Sequence, residues 1–201
     1  MSDLEHRIGS VCVYCGSSDA ASPAYLAAAA DFGRLLAAEE IRLVYGGGGV
    51  GLMGACARAA HGAGGRVLGI MPDFLRKREA LLDEIDTVVV NSMHERKMMM
   101  FEQADAFAVF PGGIGTLEEV IELLSWRRLE LHRKPIVFYD PDGFWEPLFV
   151  LLRRFVDQKL APHAFLDVWR VAQTIEQILP AMRDLGVDQS PPLPSLMPRV
   201  S

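Results

Sequence analysis

Cysteine is scarce in this chain, which contains three in 201 residues. Cys12 and Cys15 form a CxxC, but on a strand residues three apart face opposite sides of the sheet. Neither a second CxxC nor a nearby histidine completes a zinc site, and three scattered thiols are too few for a disulfide framework. We therefore expect buried, reduced cysteines in a cytoplasmic protein that holds no metal.

Basic charge and long apolar runs are lacking as well. The net charge is −6, and the longest basic run, at 76–78, is directly followed by an acid. Proteins that bind nucleic acids or membrane surfaces usually display a basic face, so this composition argues against both partners. No stretch reaches the ~20 apolar residues of a membrane helix, and no signal-peptide pattern is present. We therefore expect neither a nucleic acid nor a membrane as a partner.

The chain does have a regular alternation of apolar patterns, in a length that fits one domain. Short β-branched runs predict strands, and longer stretches between them predict helices, as in βαβ units with a parallel sheet covered on both faces. The predicted strands are 9–15, 41–45, 66–71, 87–90, 106–110, 135–139 and 168–171, and the predicted helices are 23–39, 51–63, 93–103, 117–132, 144–158 and 174–185. We expect one domain at 1–185 and a proline-rich flexible tail at 186–201.

Three of the predicted strands run into glycine-rich or small polar turns. These turns read GSS at 16–18, GGGGVGLMG at 46–54 and PGGIGT at 111–116. Open parallel sheets bind ligands outside the carboxyl ends of their strands, and glycine turns followed by helices direct N–H groups and a positive dipole end at an anion. The turns therefore predict a cleft suited to phosphate and ribose, with Ser17, Gly47 and Gly48 among its lining residues.

The second of these turns also satisfies GxGxxG at 49–54, between a strand and a helix, so a dinucleotide site is an alternative. Its partner acid should stand about 20 residues on, at the end of the next strand. Asp73 lies near that position, but it follows Pro72 and is expected in a loop. A nicotinamide-dependent oxidoreductase therefore remains one reading of the sequence.

Two charged segments lie beside the predicted cleft. Ser92 and Glu95 form a capping box, which places Arg96 near the ligand edge, where it could bind a phosphate, a carboxylate or a sugar hydroxyl pair, or else pair with Glu95. Thr116 and Glu119 form a second possible box, which would give Glu119 a capping role in the first turn of the helix. From spacing alone, capping and catalysis are equally supported for Glu119.

Taken together, YGGGGVGLMG at 45–54, MHERK at 93–97 and PGGIGTLEE at 111–119 closely resemble the Lonely Guy family. Its members are cytokinin riboside 5′-monophosphate phosphoribohydrolases, often mislabelled lysine decarboxylases. The resemblance extends from about residue 9 to residue 185, and every fixed position of the family pattern PGGxGTxxE is present. It implies a Rossmann-like doubly wound α/β fold, a homodimer without metal or redox cofactor, and hydrolysis of (N6-modified) adenosine 5′-monophosphates to free base and ribose 5-phosphate.

By matching positions, the resemblance implies Arg96 and Glu119 as the catalytic pair. The residues that it implies for nucleotide binding are Glu79, Lys97, Gly112, Gly113, Ile114, Gly115, Thr116, Leu117, Glu118 and Ser125. Family members often carry threonine where Ser125 stands, and the hydroxyl is kept. A non-catalytic carrier of a nucleotide or phosphorylated cofactor is the alternative function, since it would need the glycine turns but not Glu119. The apolar residues around most of the helix at 117–132 give separate support for a dimer.

Overall fold

The computed structural model describes residues 8–76 and 80–187, and within these ranges the chain forms a single seven-stranded parallel sheet with six α-helices. The strands are β1 (Ser10–Tyr14), β2 (Arg42–Tyr45), β3 (Val67–Pro72), β4 (Thr87–Val90), β5 (Ala106–Val109), β6 (Ile136–Tyr139) and β7 (Arg170–Ala172). The helices are α1 (Pro23–Ala38), α2 (Gly51–Gly62), α3 (Met93–Glu102), α4 (Ile114–Arg128), α5 (Glu146–Asp157) and α6 (Ile178–Val187).

The strand order is β4-β3-β2-β1-β5-β6-β7, so the sheet grows outwards in both directions from β1 and β5. These two central strands are parallel neighbours, with Tyr14 opposite Val109. The carboxyl ends of β2, β1 and β5 are therefore adjacent. This order confirms that the three glycine-containing turns lie at one edge of the sheet, at the switch point where such folds bind ligands.

Helices cover both faces of the sheet. Helices α1, α2 and α6 pack in one buried cluster, with Phe32, Cys56 and Met182 as examples. Helices α3, α4 and α5 pack in the other, with Met100 and Leu123 as examples. This arrangement confirms the predicted doubly wound, Rossmann-like α/β fold.

The predicted burial of the cysteines is also confirmed within the described chain. Cys12 in β1 and Cys15 just after it belong to opposite clusters on the two faces of the sheet, and both thiols are free and buried. Burial raises the pKa of each thiol well above its ordinary value. Neutral thiols of this kind are poor nucleophiles and poor metal ligands.

Each predicted strand and helix is present, with one difference that matters for the site. Helix α4 begins at Ile114, three residues earlier than predicted, and Gly113 occupies the N-cap position in an extended conformation. Thr116 is instead buried within the first turn. The predicted capping box at 116–119 is therefore wrong, and Glu119 lies in the second turn of the helix, where it cannot serve as the N3 partner of a cap.

Two other predicted boundaries, the end of α4 and the end of the domain, have different outcomes. Helix α4 ends at Arg128, earlier than predicted, because Glu130 adopts a left-handed conformation with φ of 58°. Helix α6 runs to Val187. Residues 188–201 of the predicted tail lie outside the described residues, so the boundary at 185 stays a prediction.

Helices α1 and α2 are in close contact at Gly33. A β-carbon at this position would lie 2.3 Å from the carbonyl oxygen of Cys56, well inside van der Waals contact. Glycine in a helix interior normally costs up to ~1 kcal/mol relative to alanine. Here the tight helix contact makes glycine the better residue.

We expect Gly33→Ala to lower the free energy of unfolding by about 1–3 kcal/mol, because the added methyl group forces α1 and α2 apart. Gly62→Ala is the matched control, since a β-carbon at Gly62 would meet nothing within 4 Å. Urea denaturation of both variants checks the prediction. If Gly33→Ala were as stable as Gly62→Ala, the close packing of the two helices would be refuted.

Candidate active site

Arg96 is held at the start of α3, where the local sequence fixes the helix. The Ser92 hydroxyl accepts a hydrogen bond from the Glu95 N–H at 3.1 Å, so α3 begins at Met93 as predicted. The Glu95 carboxylate accepts the N–H of Asn91 at 2.7 Å. Arg96 is only 4% exposed, and its Nε has no hydrogen-bond partner among the described residues. Because buried polar groups are normally hydrogen-bonded, such a guanidinium is well suited to a ligand.

Glu119 and Arg96 lie near the same end of β1. Burial raises the pKa values of Cys12, Tyr14 and Cys15, the negative charge of Glu119 raises each of them further, and the positive charge of Arg96 lowers each of them. Glu119 itself is half-buried. The structure therefore brings these two predicted catalytic side chains to the carboxyl half of the central strand.

Lys97 joins α3 to α4 through a carboxylate pair. Its Nζ lies 2.6 Å from Glu118 Oε1 and 3.0 Å from Glu122 Oε2. Burial lowers the pKa of Lys97, but the hydrogen bonds to the two carboxylates outweigh it and raise the pKa above its usual value. Because Lys97 follows Arg96 and Glu118 precedes Glu119, this bridge fixes the helix of one catalytic candidate against the helix of the other.

Ser125 lies further along α4, on the face that carries Glu118 and Glu122. Glu122 follows Glu118 by four residues, and Ser125 follows Glu122 by three. It is exposed, and its hydroxyl donates to the Ile121 carbonyl oxygen at 2.7 Å. The hydroxyl proton of Ser125 is therefore used within α4, and its oxygen can accept a hydrogen bond from a ligand.

The amino end of α4 is open to solvent. No side chain caps this helix among the described residues, and Gly113, Ile114 and Gly115 are all exposed. The first amides of any helix lack internal partners and carry the positive end of its dipole. Helix α4 therefore presents an anion-binding end directly after β5.

The glycines of this turn fall into two kinds. A β-carbon at Gly112 would lie 2.2 Å from the Thr116 hydroxyl oxygen and 2.9 Å from the Gly16 nitrogen, so packing within the protein requires glycine there. A β-carbon at Gly113 or Gly115 would meet nothing within 4 Å, and neither residue has a positive φ. The fold does not require glycine at these two positions, whereas a closely approaching ligand would.

The amino end of α2 differs because the chain itself occupies it. The Asp19 carboxylate accepts the Gly51 N–H at 2.8 Å, and the Gly16 carbonyl oxygen accepts the Leu52 N–H at 3.0 Å. The Gly49 N–H is also used, by the carbonyl oxygen of Ala80 at 2.8 Å. The GxGxxG turn therefore binds an internal carboxylate where a dinucleotide would place its pyrophosphate, which counts against the oxidoreductase alternative.

The remaining predicted residues have the following positions. Gly47 and Gly48 are buried, and Gly47 has a φ of 81°, which requires glycine. Ser17 is exposed after β1, and Leu117 is half-buried on α4. Glu79 lies outside the described residues.

Sequence reasoning missed Glu122 as a partner of Lys97 and Asp19 as the cap of α2. The four-residue spacing from Glu118 could have indicated Glu122, because that spacing places both acids on one face of the helix. Asp19 gave no comparable signal, since its partner Gly51 is distant in sequence. In the described part of the chain, no group of three or more metal-binding side chains is found, and no helix is long and apolar enough to cross a membrane.

Comparison with known proteins gives both family and fold. The family model "Possible lysine decarboxylase" matches residues 53–182. Cytokinin riboside 5′-monophosphate phosphoribohydrolase LOG7 of Arabidopsis thaliana is 43% identical over 159 residues, covering 79% of this chain and 73% of that protein. Probable cytokinin riboside 5′-monophosphate phosphoribohydrolase LOGL2 of Oryza sativa subsp. japonica is 37% identical over 182 residues, covering 90% and 75%.

Solved structures with the same fold include two proteins that bind the molybdenum cofactor. The molybdenum cofactor binding protein from Rippkaea orientalis matches with a TM-score of 0.66 at 25% identity, covering 89% of this chain and 98% of that one. The molybdenum cofactor carrier protein from Chlamydomonas reinhardtii matches with a TM-score of 0.69 at 20% identity, covering 90% and 100%, and shows the fold alone. The family match and the identity to the two plant proteins show that this chain belongs to the Lonely Guy family.

Proposed function

We propose that this protein hydrolyses the N-glycosidic bond of an adenosine 5′-monophosphate, plain or N6-modified, and releases the free base, adenine or cytokinin, and ribose 5-phosphate. The observation that carries the proposal is the exposed, uncapped amino end of α4, with Glu119 one turn further along the same helix. The names of the two plant relatives support the same reaction.

The 5′-phosphate would bind at the first amides of α4. Backbone N–H groups and the helix dipole both favour a dianion there, and Gly113 and Gly115 leave space for it to approach the backbone. Anchoring the phosphate fixes the ribose relative to α4. Binding energy far from the reacting bond then serves to position that bond.

Glu119 would act at the anomeric carbon. As the C1′–N bond breaks, positive charge develops on the ribose, much as in glycoside hydrolysis. A nearby carboxylate stabilises that charge and can orient a water molecule or take its proton. The water oxygen bonds to C1′, the bonding electrons leave with the base nitrogen, and a proton completes the free base.

Arg96 would bind the sugar hydroxyls or hold Glu119 ionised, since its Nε is buried without a partner in the described structure. Lys97 and Glu118 are proposed to hold the site together through their ion pair, in addition to the nucleotide contacts that the family resemblance implies. Thr116, Leu117, Ser125, Ser17, Gly47, Gly48 and Glu79 remain predicted nucleotide contacts. The reaction needs no metal or redox cofactor in this scheme, and three thiols without a disulfide suit the reducing cytoplasm.

A non-catalytic carrier is the second candidate function, favoured by the molybdenum cofactor binding protein that shares 25% identity and the same fold. A carrier would use the anion-binding end of α4 and would not need the carboxylate of Glu119. Incubation with AMP, followed by chromatography for free adenine, separates the two functions. Adenosine, which lacks the phosphate, serves as the second substrate and is expected to react far more slowly.

We also propose a homodimer in which α4 lies at the interface. Besides its buried residues, this helix and the turn after it expose Ile114, Ile121, Leu129 and Leu131. Leu129 and Ile114 are 59% and 83% exposed, respectively. Exposed apolar side chains along one helix are typical of a surface that a partner covers, and a second copy of this chain is the partner that the family resemblance implies.

For catalysis, we expect Glu119→Gln to lower kcat for AMP by about 10²–10⁴-fold, because the amide neither stabilises a cation nor accepts a proton. The KM should change only a few-fold, since the phosphate contacts remain. Glu102→Gln removes the same charge from the exposed end of α3 and is expected to leave the rate unchanged. Equal rates for Glu119→Gln and the unmodified protein would show that Glu119 has no catalytic role.

For assembly, we expect Leu129→Glu to convert the dimer into a monomer in size-exclusion chromatography with light scattering. A buried, unpaired carboxylate is costly at an apolar interface. Leu160→Glu is the control, because Leu160 is 69% exposed and follows α5, outside α4 and the turn after it. A monomeric unmodified protein, or a Leu129→Glu variant that stays dimeric, would contradict an interface formed by α4.

A further inference from the structure

The guanidinium of Arg96 lies directly against the backbone of Gly46, the first residue after β2. A β-carbon at Gly46 would be 1.8 Å from Arg96 Nη2 and 2.9 Å from its Cζ. Both residues are buried. The arginine therefore occupies the volume that any side chain at position 46 would need.

The backbone at Gly46 does not itself demand glycine. Its φ is not in the left-handed region, unlike those of Gly47 and Gly51 in the same turn. Each of these two has its own structural reason, since Gly47 has a φ of 81° and Gly51 has a φ of 60° against the Ser17–Ser18 backbone. At Gly46 the contact with Arg96 is the reason for glycine that the structure provides.

Arg96 is positioned mainly by shape. Its Nε has no hydrogen-bond partner within the described residues, and its Nη1 contacts Met93 Sδ at 4.0 Å, the limit of a weak sulfur hydrogen bond. Most buried guanidinium groups are fixed by carboxylates or carbonyl groups, which use up their donors. Contacts with the Gly46 backbone and Met93 Sδ instead position the guanidinium, and its Nε is left for a ligand.

We propose that Gly46 is a positioning residue for Arg96. Because glycine has no side chain, the guanidinium can lie against the Gly46 backbone, where it is in place for substrate. This inference rests on the proposed role of Arg96 in the hydrolysis. It also gives the second glycine turn a function other than the phosphate binding that the sequence predicts for it. Protein interiors are close-packed, so a β-carbon at position 46 would have to displace the arginine.

The test is a double-mutant cycle with Gly46→Ala and Arg96→Ala, assayed by release of adenine from AMP. Gly46→Ala alone should lower kcat/KM by roughly 10–100-fold, because a displacement of about 1 Å is enough to cost that much. In the Arg96→Ala background, where the guanidinium is gone, Gly46→Ala should change kcat/KM less than twofold. Gly62→Ala, a glycine with open space around it, should have no effect in either background.

Three outcomes would overturn the proposal. If Gly46→Ala lowered kcat/KM equally in both backgrounds, Gly46 would not act through Arg96. If Gly46→Ala kept full activity, the close contact between Gly46 and Arg96 would not be required. An unfolded Gly46→Ala protein would be uninformative alone, so thermal unfolding of all four proteins is measured too. We expect Gly46→Ala to lower the thermal unfolding midpoint and the double variant to restore it. If the double variant did not restore it, the steric contact would be refuted.

The unfolding measurements also separate this inference from the proposed function. If the unmodified protein releases no adenine from AMP, the proposed function fails. If the changes in unfolding midpoint are non-additive in the same cycle, they would still support the contact between Gly46 and Arg96. Additive changes would refute that contact.

Discussion

The site depends on an asymmetry between two helix amino ends at the same edge of the sheet. The first amides of α2 donate to the Asp19 carboxylate and the Gly16 carbonyl oxygen, whereas the start of α4 is exposed and its N-cap, Gly113, has no side chain. Both helices follow glycine turns, and both carry the dipole that attracts an anion. Because the chain supplies its own anion to α2, the end that is open to a phosphate is that of α4.

The other charges at this edge of the sheet are arranged around that open end. Lys97 bridges Glu118 and Glu122 and thereby ties α3 to α4, which carry Arg96 and Glu119. Arg96 is buried with an unsatisfied Nε and a glycine backbone against its guanidinium. A buried arginine with unused donors is costly unless a ligand completes its hydrogen bonds. On this account, part of the binding energy of the nucleotide comes from satisfying groups that the fold leaves unsatisfied.

Much of the architecture could be predicted from the sequence because the signals were local. Continuous apolar runs marked the doubly buried strands, and the Ser92 cap marked the start of α3 correctly. The start of α4 was misplaced because Thr116 and Glu119 match the capping-box pattern, whereas the actual N-cap, Gly113, has no side chain to signal the role.

What the sequence could not provide were contacts between distant segments. The pairing of Lys97 with Glu118, the cap of α2 by Asp19 and the contact of Gly46 with Arg96 each join residues at least 21 positions apart. Their significance depends on strand order, which no local pattern encodes. The same holds for the glycines at 113 and 115, whose surroundings become known only once the helix is placed.

The most direct test of the account follows backbone amide resonances of the ¹⁵N-labelled protein during titration with ribose 5-phosphate. The account predicts that the largest shifts occur at Gly113, Ile114 and Gly115, while Gly51 and Leu52, whose N–H groups are already bonded, stay unchanged. Large shifts at Gly51 and Leu52 without shifts at the start of α4 would contradict it.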